Sequence, residues 1–279
     1  MVALSTLLFS FNGLILRQMI EASALQATLY RSASMSVSLV VIFLLLYGGA
    51  TVARIKSIGP SGLIAGALLG FATMTIFIAM NHTTVANTSF INSAIPFFSA
   101  GLAWLFLREK VSRMMMVCMM LAFFGITVMV IGSINANQIF GSLMSVVSAL
   151  LFAVFVVILR SRQQINMTPV VIVSGVVTCT CIVLMTGGNV SVNPQDLMLC
   201  IVWGAGIAAL GHSLFVLAAA RLSAGEVTFI MLFEYVLGPV WVWLFLNEIP
   251  AMATLAGGAI VLGSVMLWLG RELCQVGQK

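Results

Sequence analysis

Two ionisable side chains lie inside long apolar stretches of this sequence. Glu234 is near the middle of residues 224–246, and His212 is within residues 198–219. An ionisable side chain at membrane depth costs several kcal/mol unless it is paired or hydrated, so both residues are functional candidates. On adjacent helices, a glutamate and a histidine can hold a substrate amine or carry a proton. The alternative is a structural pair in which the two side chains bond each other and fix two helices.

Arg31 is a third charged candidate, near one end of the apolar stretch at 25–47. A guanidinium in that position can bind a carboxylate through two parallel hydrogen bonds. The alternatives are that the side chain extends to the membrane interface or that it pairs with Glu21. Glu226 lies one turn into the stretch that contains Glu234, and we expect it to complement the N-terminus of its helix.

Uncharged polar residues form a stripe in the first half of the chain. Ser89, Asn92, Pro96 and Ser99 recur at spacings of three, four and three, which places them on one side of a helix. Polar groups that face lipid are costly, so the stripe should face other helices or water. The other candidates for substrate contact are two asparagines, a threonine that matches His212 in the first half, and three aromatic residues: Asn87, Asn12, Thr73, Phe77, Tyr235 and Trp241. Hydrogen bonding between helices is the alternative for the asparagines, and core packing is the alternative for the aromatic residues.

The composition around these residues identifies the class of protein. The chain is 62% hydrophobic and 7% charged, with a mean hydropathy of +1.19, whereas about a quarter of the residues of a soluble domain are charged. Apolar stretches of about twenty residues recur along the chain, and each can cross a bilayer core of roughly 30 Å as a helix. We therefore predict an all-α integral membrane protein.

Glycine, proline, asparagine and charged residues divide the sequence into ten predicted helices. Their approximate bounds are 2–17, 25–47, 61–80, 84–107, 112–132, 139–159, 168–187, 198–219, 224–246 and 250–270. Arginine or lysine follows every even-numbered helix and is absent from the loops after helices three, five, seven and nine. By the positive-inside rule, both chain termini are cytoplasmic, and we place this multi-pass protein in the bacterial inner (plasma) membrane. The net charge of +5 therefore reflects topology and does not indicate nucleic-acid binding.

A repeated phrase points to two related halves. WLFLRE at 104–109 recurs as WLFLNE at 243–248, half a chain length later. Each half then holds five helices, an odd number, so the second copy crosses the membrane in the opposite direction from the first. We predict inverted-topology repeats at residues 1–137 and 138–279. Chance recurrence in a Leu/Phe-rich chain is the alternative.

Small residues recur every fourth position in the third predicted helix, at Gly62, Gly66 and Gly70. Such a ladder lets the backbones of two membrane helices approach closely. We therefore expect this face of the helix to pack against a neighbouring helix.

The segments NTSFINSAIPFFSAGLAWLFLREKVS (87–112) and AGEVTFIMLFEYVLGPVWVWLFLNEIP (224–250) resemble the fourth and ninth helices of the drug/metabolite transporter (DMT) superfamily, in its EamA branch. The opening SFNGLILRQMIEASALQATLYRS is similar to that family's first two helices. The resemblance implies a cavity among the first, third, fourth, sixth, eighth and ninth helices, and amino-acid export. The sequence departs from the family pattern at one position: the second-half equivalent of Pro96 is Tyr235, where the family often has proline. Pro239 could supply the kink of the ninth helix instead.

The functional prediction is a secondary transporter that moves a small organic metabolite, favouring amino-acid export by alternating access. The alternatives are an importer or exchanger of another metabolite, an integral-membrane enzyme that uses His212 and Glu234 as acid and base, and a scaffold subunit that does not transport. The enzyme has little support because the chain lacks the H-E-x-x-H spacing. The expected partners are a small-molecule substrate, membrane lipid and a coupling proton. We expect no cofactor, metal or nucleic acid, and a monomer or weak homodimer.

Overall fold

The computed structural model of this chain describes residues 1–130, 139–188, 190–246 and 252–276. Glu248, the second glutamate of the repeated phrase, lies outside the described residues. We label the helical stretches α1 to α10 in chain order. They are α1 (Val2–Ser10 and Asn12–Arg17), α2 (Ala24–Tyr47), α3 (Gly59–His82), α4 (Val85–Asn92 and Ile95–Leu107), α5 (Arg113–Val130), α6 (Ile139–Ser161), α7 (Val170–Thr186), α8 (Pro194–Val202, Trp203–Ala208 and Ala209–Ala219), α9 (Ala224–Ile230 and Phe233–Leu246) and α10 (Met252–Val276). A 3-10 turn and the short helix Thr51–Lys56 continue α2.

The predicted all-α class is confirmed, since the described ranges contain helices and no strand. Within the described residues, seven helical stretches are long and apolar enough to cross a membrane: Ala24–Lys56, Gly59–His82, Asn87–Leu107, Ile139–Ser161, Pro194–Ala219, Ala224–Leu246 and Met252–Arg271. Of the shorter apolar helices, Val2–Arg17 precedes these stretches, and Arg113–Met129 and Val170–Thr186 lie between them in the chain. Ten membrane crossings therefore stay a prediction.

Helix α8 begins at Pro194, ahead of the predicted start at 198. The side chain of Asn193 accepts a hydrogen bond from the backbone N–H of Asp196 at 2.8 Å, and proline occupies the first turn. Both features are typical of a helix N-terminus. The hydrophobic pattern alone missed this polar first turn.

The helices pack in a pattern that brings distant parts of the chain together. Helix α3 packs against α6 and α7, α2 against α7 and α8, and α5 against α10. Helix α1 packs against α8 and α9, and α4 packs against α6 and α9. Helices α1, α8 and α9 therefore meet, and α4 reaches the same region through α9.

The small-residue ladder is confirmed at two of its three positions. A Cβ added to Gly66 would lie 2.5 Å from the Cβ of Val173, and one added to Gly70 would lie 2.8 Å from the carbonyl oxygen of Ser174. Both contacts are with α7. At Gly62 the prediction is wrong, because an added Cβ would instead meet Ile58, one turn earlier in the chain.

Helices α4 and α9 are interrupted at corresponding places. The non-helical residues are Ser93–Ala94 in α4 and Met231–Leu232 in α9, and each pair precedes its copy of the repeated phrase by nearly the same length of chain. Pro96 lies in the first turn after the break in α4. Pro239 lies inside the continuous piece Phe233–Leu246 and apart from the break in α9, so the kink expected at this proline stays a prediction.

Tight turns explain why the second break needs no proline. The N–H of Glu234 donates to the carbonyl of Met231 at 2.9 Å, and the N–H of Ala94 donates to the carbonyl of Ile91 at 3.0 Å. These are bonds to the third residue back, as in a 3-10 turn, instead of the fourth. Each break is therefore a tightened turn that satisfies its own backbone groups.

Candidate functional site

The carboxyl group of Glu234 lies in the first turn of α9 after its break. Its side chain is partly buried, and its Oε1 accepts a hydrogen bond from Nδ2 of Asn12 at 3.4 Å. That distance is long for a hydrogen bond. Glu234 enters no ion pair among the described residues. In the described part of the chain, the carboxyl group therefore has one hydrogen-bond partner, and that bond is long.

Asn12 is held in place by a second helix. Nε1 of Trp203 donates to Oδ1 of Asn12 at 2.8 Å, and the indole is only 1% exposed. Asn12 begins the second piece of α1, Trp203 lies in α8, and Glu234 lies in α9. One asparagine amide thus joins three helices, with its oxygen on the indole and its nitrogen on the carboxyl group.

Arg31 extends this arrangement to α2. Its side chain is 6% exposed, and its guanidinium lies over the Trp203 ring, 5.1 Å from the ring centroid. Electrostatic interaction also reaches from Arg31 to both Glu234 and His212. We call Arg31, Trp203, Asn12 and Glu234 the central cluster.

Arg31 takes neither of the structural roles considered from the sequence. The side chain is buried instead of extending to a surface, and it forms no ion pair with Glu21 in the described structure. Its Nε atom is buried and has no hydrogen-bond partner among the described residues. The guanidinium is therefore a buried charge without an ion-pair partner among the described residues.

Trp203 opens an unusual segment of α8, because residues Trp203–Ala208 are π-helical. Such wider turns are rare and frequently occur at functional sites. Helix α2 supports this one: Ser34 Oγ donates to the carbonyl of Cys200 at 3.2 Å, and Ser38 Oγ donates to that of Ala205 at 2.9 Å. A Cβ on Gly204 would collide with the backbone of Arg31. The π segment and Arg31 are therefore in direct contact.

His212 follows the π segment by one turn and points to α1. Its Nδ1 lies 2.9 Å from the carbonyl oxygen of Ala208, and its ring meets Phe9 edge-on with centroids 4.7 Å apart. No hydrogen bond joins His212 to Glu234 in the described ranges. The structural pair considered from the sequence is therefore not formed there.

Two aromatic residues pack where α1 changes from its first piece to its second. Trp241 of α9 stacks on Phe11, with ring centroids 4.7 Å apart and an interplanar angle of 11°. Its Nε1 donates to Oγ of Ser10 at 2.7 Å. Trp241 therefore places an apolar wall beside Asn12, the next residue after Phe11.

Asn92 and Tyr235 lie beside the corresponding breaks in α4 and α9. Asn92 is the last residue of the first piece of α4, and its side chain interacts with the hydroxyl of Tyr235 in α9. The Oδ1 atom of Asn92 is buried without a hydrogen-bond partner among the described residues. An unused acceptor therefore lies next to the residue that follows Glu234.

Three sequence candidates lie apart from the central cluster. The amide of Asn87 donates to Oγ1 of Thr83 at 2.8 Å and to Oγ of Ser142 at 2.7 Å, which joins α4 to α6. Thr73 donates to the carbonyl of Leu69 at 2.9 Å, and Phe77 is buried in α3. In the described part of the chain, no hydrogen bond or ring contact joins these three residues to the cluster.

Sequence reasoning missed Trp203 and Asp196. The Oδ1 of Asp196 accepts from the N–H of Ile20 at 3.0 Å, and its Oδ2 accepts from those of Glu21 and Ala22, each at 2.9 Å. This fully buried carboxylate ties the loop between α1 and α2 to the start of α8. Trp203 carried a signal, because a buried indole N–H usually has a partner. For Asp196, the only signal in the sequence was its position near the start of a helix.

Glu109 forms a second carboxylate connection at the opposite end of α8. Its Oε1 accepts from Nε of Arg160 at 2.6 Å, and its Oε2 accepts from the N–H of Ala224 at 3.3 Å. Arg160 also donates to the carbonyl of Ala220 at 3.1 Å. These bonds tie α4 and α6 to the segment between α8 and α9.

Glu226 has the role predicted for it. Its carboxylate accepts from the N–H of Ser223 at 2.8 Å, and the Ser223 hydroxyl accepts from the N–H of Glu226 at 3.3 Å. This reciprocal capping box stabilises the start of α9. Glu226 is therefore a helix cap.

The chemistry available at the central cluster is the binding of charged and polar groups. No group of three or more His, Cys, Asp or Glu side chains in the described residues could hold a metal ion. The cluster presents a carboxyl group, a guanidinium cation, an amide and an indole on four helices. Such a set can hold a small polar molecule.

Comparison with known proteins gives two findings. Residues 1–131 match the model of a family described as the EamA-like transporter family. A solved structure titled "Crystal structure of protein" superimposes with a TM-score of 0.82 at 15% sequence identity, covering 94% of this chain and 93% of that chain. At that identity the likeness is one of fold alone. None of the curated proteins matches the sequence.

Proposed function

We propose that this chain is a secondary transporter of a small organic metabolite, because residues 1–131 match the EamA-like transporter family. The family favours transport of a small molecule over catalysis. The finer proposal is export of an amino acid across the bacterial inner membrane by alternating access. We place both termini in the cytoplasm, and the working unit is a monomer or weak homodimer.

Helix packing supports the proposed inverted repeats at residues 1–137 and 138–279. In two such halves, each helix is equivalent to the helix five places away, so α3 is equivalent to α8, α4 to α9 and α6 to α1. The observed α3–α6 and α4–α6 contacts then have the equivalents α8–α1 and α9–α1, which are also observed. The α2–α8 contact likewise has the observed equivalent α7–α3. The spacing between the breaks in α4 and α9 is close to that between the two copies of the repeated phrase. Two halves of this kind can rock against each other around a central site.

The single observation that carries the proposal is the central cluster beside a broken helix. Glu234 and Arg31 are both enclosed by membrane helices, and neither has an ion-pair partner among the described residues. Charged groups in such positions are costly and usually belong to a substrate or ion pathway. Interrupted membrane helices are likewise typical of transporter binding sites.

The candidate residues around the central cluster take different roles in this proposal. Glu234 binds a substrate amine or a coupling proton, and Asn12 orients its carboxyl group. The buried acceptor of Asn92 and the hydroxyl of Tyr235 bind polar substrate groups, and Trp241 provides an apolar wall. For Asn87 we propose a structural role, because its amide is already bonded to Thr83 and Ser142.

His212, Thr73 and Phe77 are proposed to line the pathway farther from Glu234. His212 contacts α1 through Phe9, while Thr73 and Phe77 lie on α3. Thr73 matches His212 when the two copies of the repeated phrase are aligned without gaps. In an inverted repeat, equivalent positions of the two halves exchange their surroundings when the transporter changes from facing one side of the membrane to facing the other.

The test is uptake by the purified full chain in sealed proteoliposomes. Radiolabelled amino acids, nucleosides and small organic cations are supplied with and without a pH gradient, and vesicles without protein are the control. We expect accumulation of at least one amino acid without chemical conversion. Uptake confined to nucleosides or cations would favour the alternative metabolite transporter. Conversion of the probe would favour an enzyme, and uptake of no probe would contradict transport.

A further inference from the structure

Arg31 differs from the other buried or stacked arginines of this chain. Arg160 also lies between helices, but its guanidinium bonds Glu109, Gln163 and the carbonyl of Ala220 at 2.6, 2.8 and 3.1 Å. Arg54 stacks on Tyr47 at 5.2 Å, but it is exposed. Among the described residues, Arg31 has the stacking contact of Arg54 in a buried position and none of the hydrogen bonds of Arg160.

This combination leaves a strong binding capacity unused. A guanidinium has five N–H donors in a planar fork, and the fork matches a carboxylate. The buried Nε of Arg31 has no hydrogen-bond partner among the described residues. A buried charge without a partner is strongly destabilising, whereas a charged partner with good hydrogen bonds offsets that cost. The missing partner is an anionic oxygen group.

Glu234 constrains which anion fits. It is connected to Trp203 through Asn12, and it also has no ion-pair partner in the described structure. A molecule with one carboxylate and one ammonium group would neutralise both residues. A phosphate with two negative charges would be repelled by Glu234. Aromatic side chains at Trp241 and Phe11 complete an apolar wall on the Asn12 side.

We propose that Arg31 is the carboxylate-binding residue of the transport site and that Glu234 binds the ammonium group of the same zwitterionic substrate. This inference rests on the proposed transport function and deepens it. The Trp203 ring lies under the guanidinium, 5.1 Å from ring centroid to Cζ, and its N–H holds Asn12, so one indole contacts the residues at both charged ends. The substrate class is a small amino carboxylate with an apolar side chain.

Three compounds that differ by one charged group test this assignment. The probes are L-phenylalanine, phenethylamine, which lacks the carboxylate, and 3-phenylpropanoate, which lacks the amine. Affinity for the full chain in nanodiscs is measured by calorimetry or by competition. One hydrogen-bonded charged contact corresponds to roughly a tenfold to hundredfold change in affinity. The wild-type protein should therefore bind phenylalanine at least about tenfold more tightly than either analogue.

Arg31→Gln should remove the preference for phenylalanine over phenethylamine, and phenethylamine should bind at least as tightly as it does to the wild type, because a like charge is removed from the site. Retained phenethylamine binding also reports that the variant is folded. Arg31→Lys keeps the charge without the fork and should fall between wild type and Arg31→Gln. The matched control is Arg54→Gln, which removes an exposed stacked arginine and should change no affinity.

Several results would overturn the proposal. They are equal wild-type affinity for phenylalanine and phenethylamine, a preference that survives in Arg31→Gln, and competition by inorganic phosphate as effective as that by the amino acid. If Arg31→Gln does not fold, the wild-type series and Arg31→Lys decide the question. The assignment is also wrong if none of the twenty L-amino acids binds the wild-type protein in the competition measurement. Uptake of a nucleoside or cation by the same vesicles would then leave the transport function standing.

Discussion

At the scale of single residues, the molecule places opposite charges in one buried cluster without pairing them. Arg31 and Glu234 are separated by Trp203 and Asn12, whose hydrogen bond measures 2.8 Å. The bond from Asn12 to Glu234 is weaker, at 3.4 Å. A carboxyl group with one long hydrogen bond is free to take a better partner. This makes Glu234 the residue whose substitution is most informative.

Glu234→Gln should leave the protein folded and change transport in one of two ways. If the carboxylate binds a substrate amine, affinity should fall by roughly tenfold to hundredfold, because a charged hydrogen bond is replaced by a neutral one. If it carries a proton, dependence on the pH gradient should disappear while substrate exchange persists. Both are measured in proteoliposomes. Glu226→Gln is the matched control, because a glutamine can replace the glutamate of a capping box. Unchanged affinity and pH dependence in Glu234→Gln would assign the residue a structural role.

At the scale of helices, close backbone contacts and local breaks determine the architecture. Gly66 and Gly70 bring α3 against α7, and serines of α2 bond one carbonyl in the π segment of α8 and one just before it. In a membrane, helices associate mainly through such packing and hydrogen bonds, because lipid tails are as apolar as leucine. Removing a small residue from a contact should therefore destabilise the bundle.

Gly66→Ala should lower the thermal unfolding midpoint of the purified protein. The new Cβ would lie 2.5 Å from that of Val173 and 2.9 Å from the carbonyl oxygen of Val170, so α3 and α7 must move apart. Overpacking of this kind costs about 1–3 kcal/mol. Gly263→Ala is the control, since nothing lies within 4 Å of its added Cβ. Its midpoint should stay the same or rise, because alanine favours a helix by about 1 kcal/mol over glycine. Equal midpoints for the two variants would mean that the contact is loose.

At the scale of the whole molecule, two carboxylates hold opposite ends of α8. Asp196 binds the loop between α1 and α2, and Glu109 binds Arg160 and the start of α9. Alternating access requires the two ends of a transporter to open in turn. The connections at both ends are therefore where such an opening would begin, provided that the ends face opposite sides of the membrane.

Cysteine labelling tests that orientation. Ser191 precedes α8 and Ser161 ends α6, so they lie at opposite ends of α7, and both are exposed. In a background without the five native cysteines, Ser191→Cys should react with an impermeant thiol reagent from outside. Ser161→Cys should react only after the reagent is given access to the cytoplasm. The two positions serve as each other's control. Labelling of both from one face would contradict ten crossings and cytoplasmic termini.

The sequence by itself determined the class of protein, the helical segments and the ionisable residues whose burial in a membrane is costly. Backbone groups in lipid must be satisfied within each segment, so length and hydropathy report where a helix runs. The Glu226 cap was readable for a similar reason, because its partner Ser223 lies within the same turn of chain. Glu234 was recognisable from its depth in an apolar stretch. Each of these properties depends on residues close together in the chain.

The tertiary structure alone decided which polar groups meet. Trp203 and Asn12 are 191 positions apart, Asn87 bonds Ser142 instead of joining the cluster, and α9 breaks without a proline. In a soluble helix an apolar face shows which side packs inward. Here every face is apolar, so hydropathy carries little information about lateral packing. That packing depends on close contacts and hydrogen bonds between distant segments, which only the assembled helices provide.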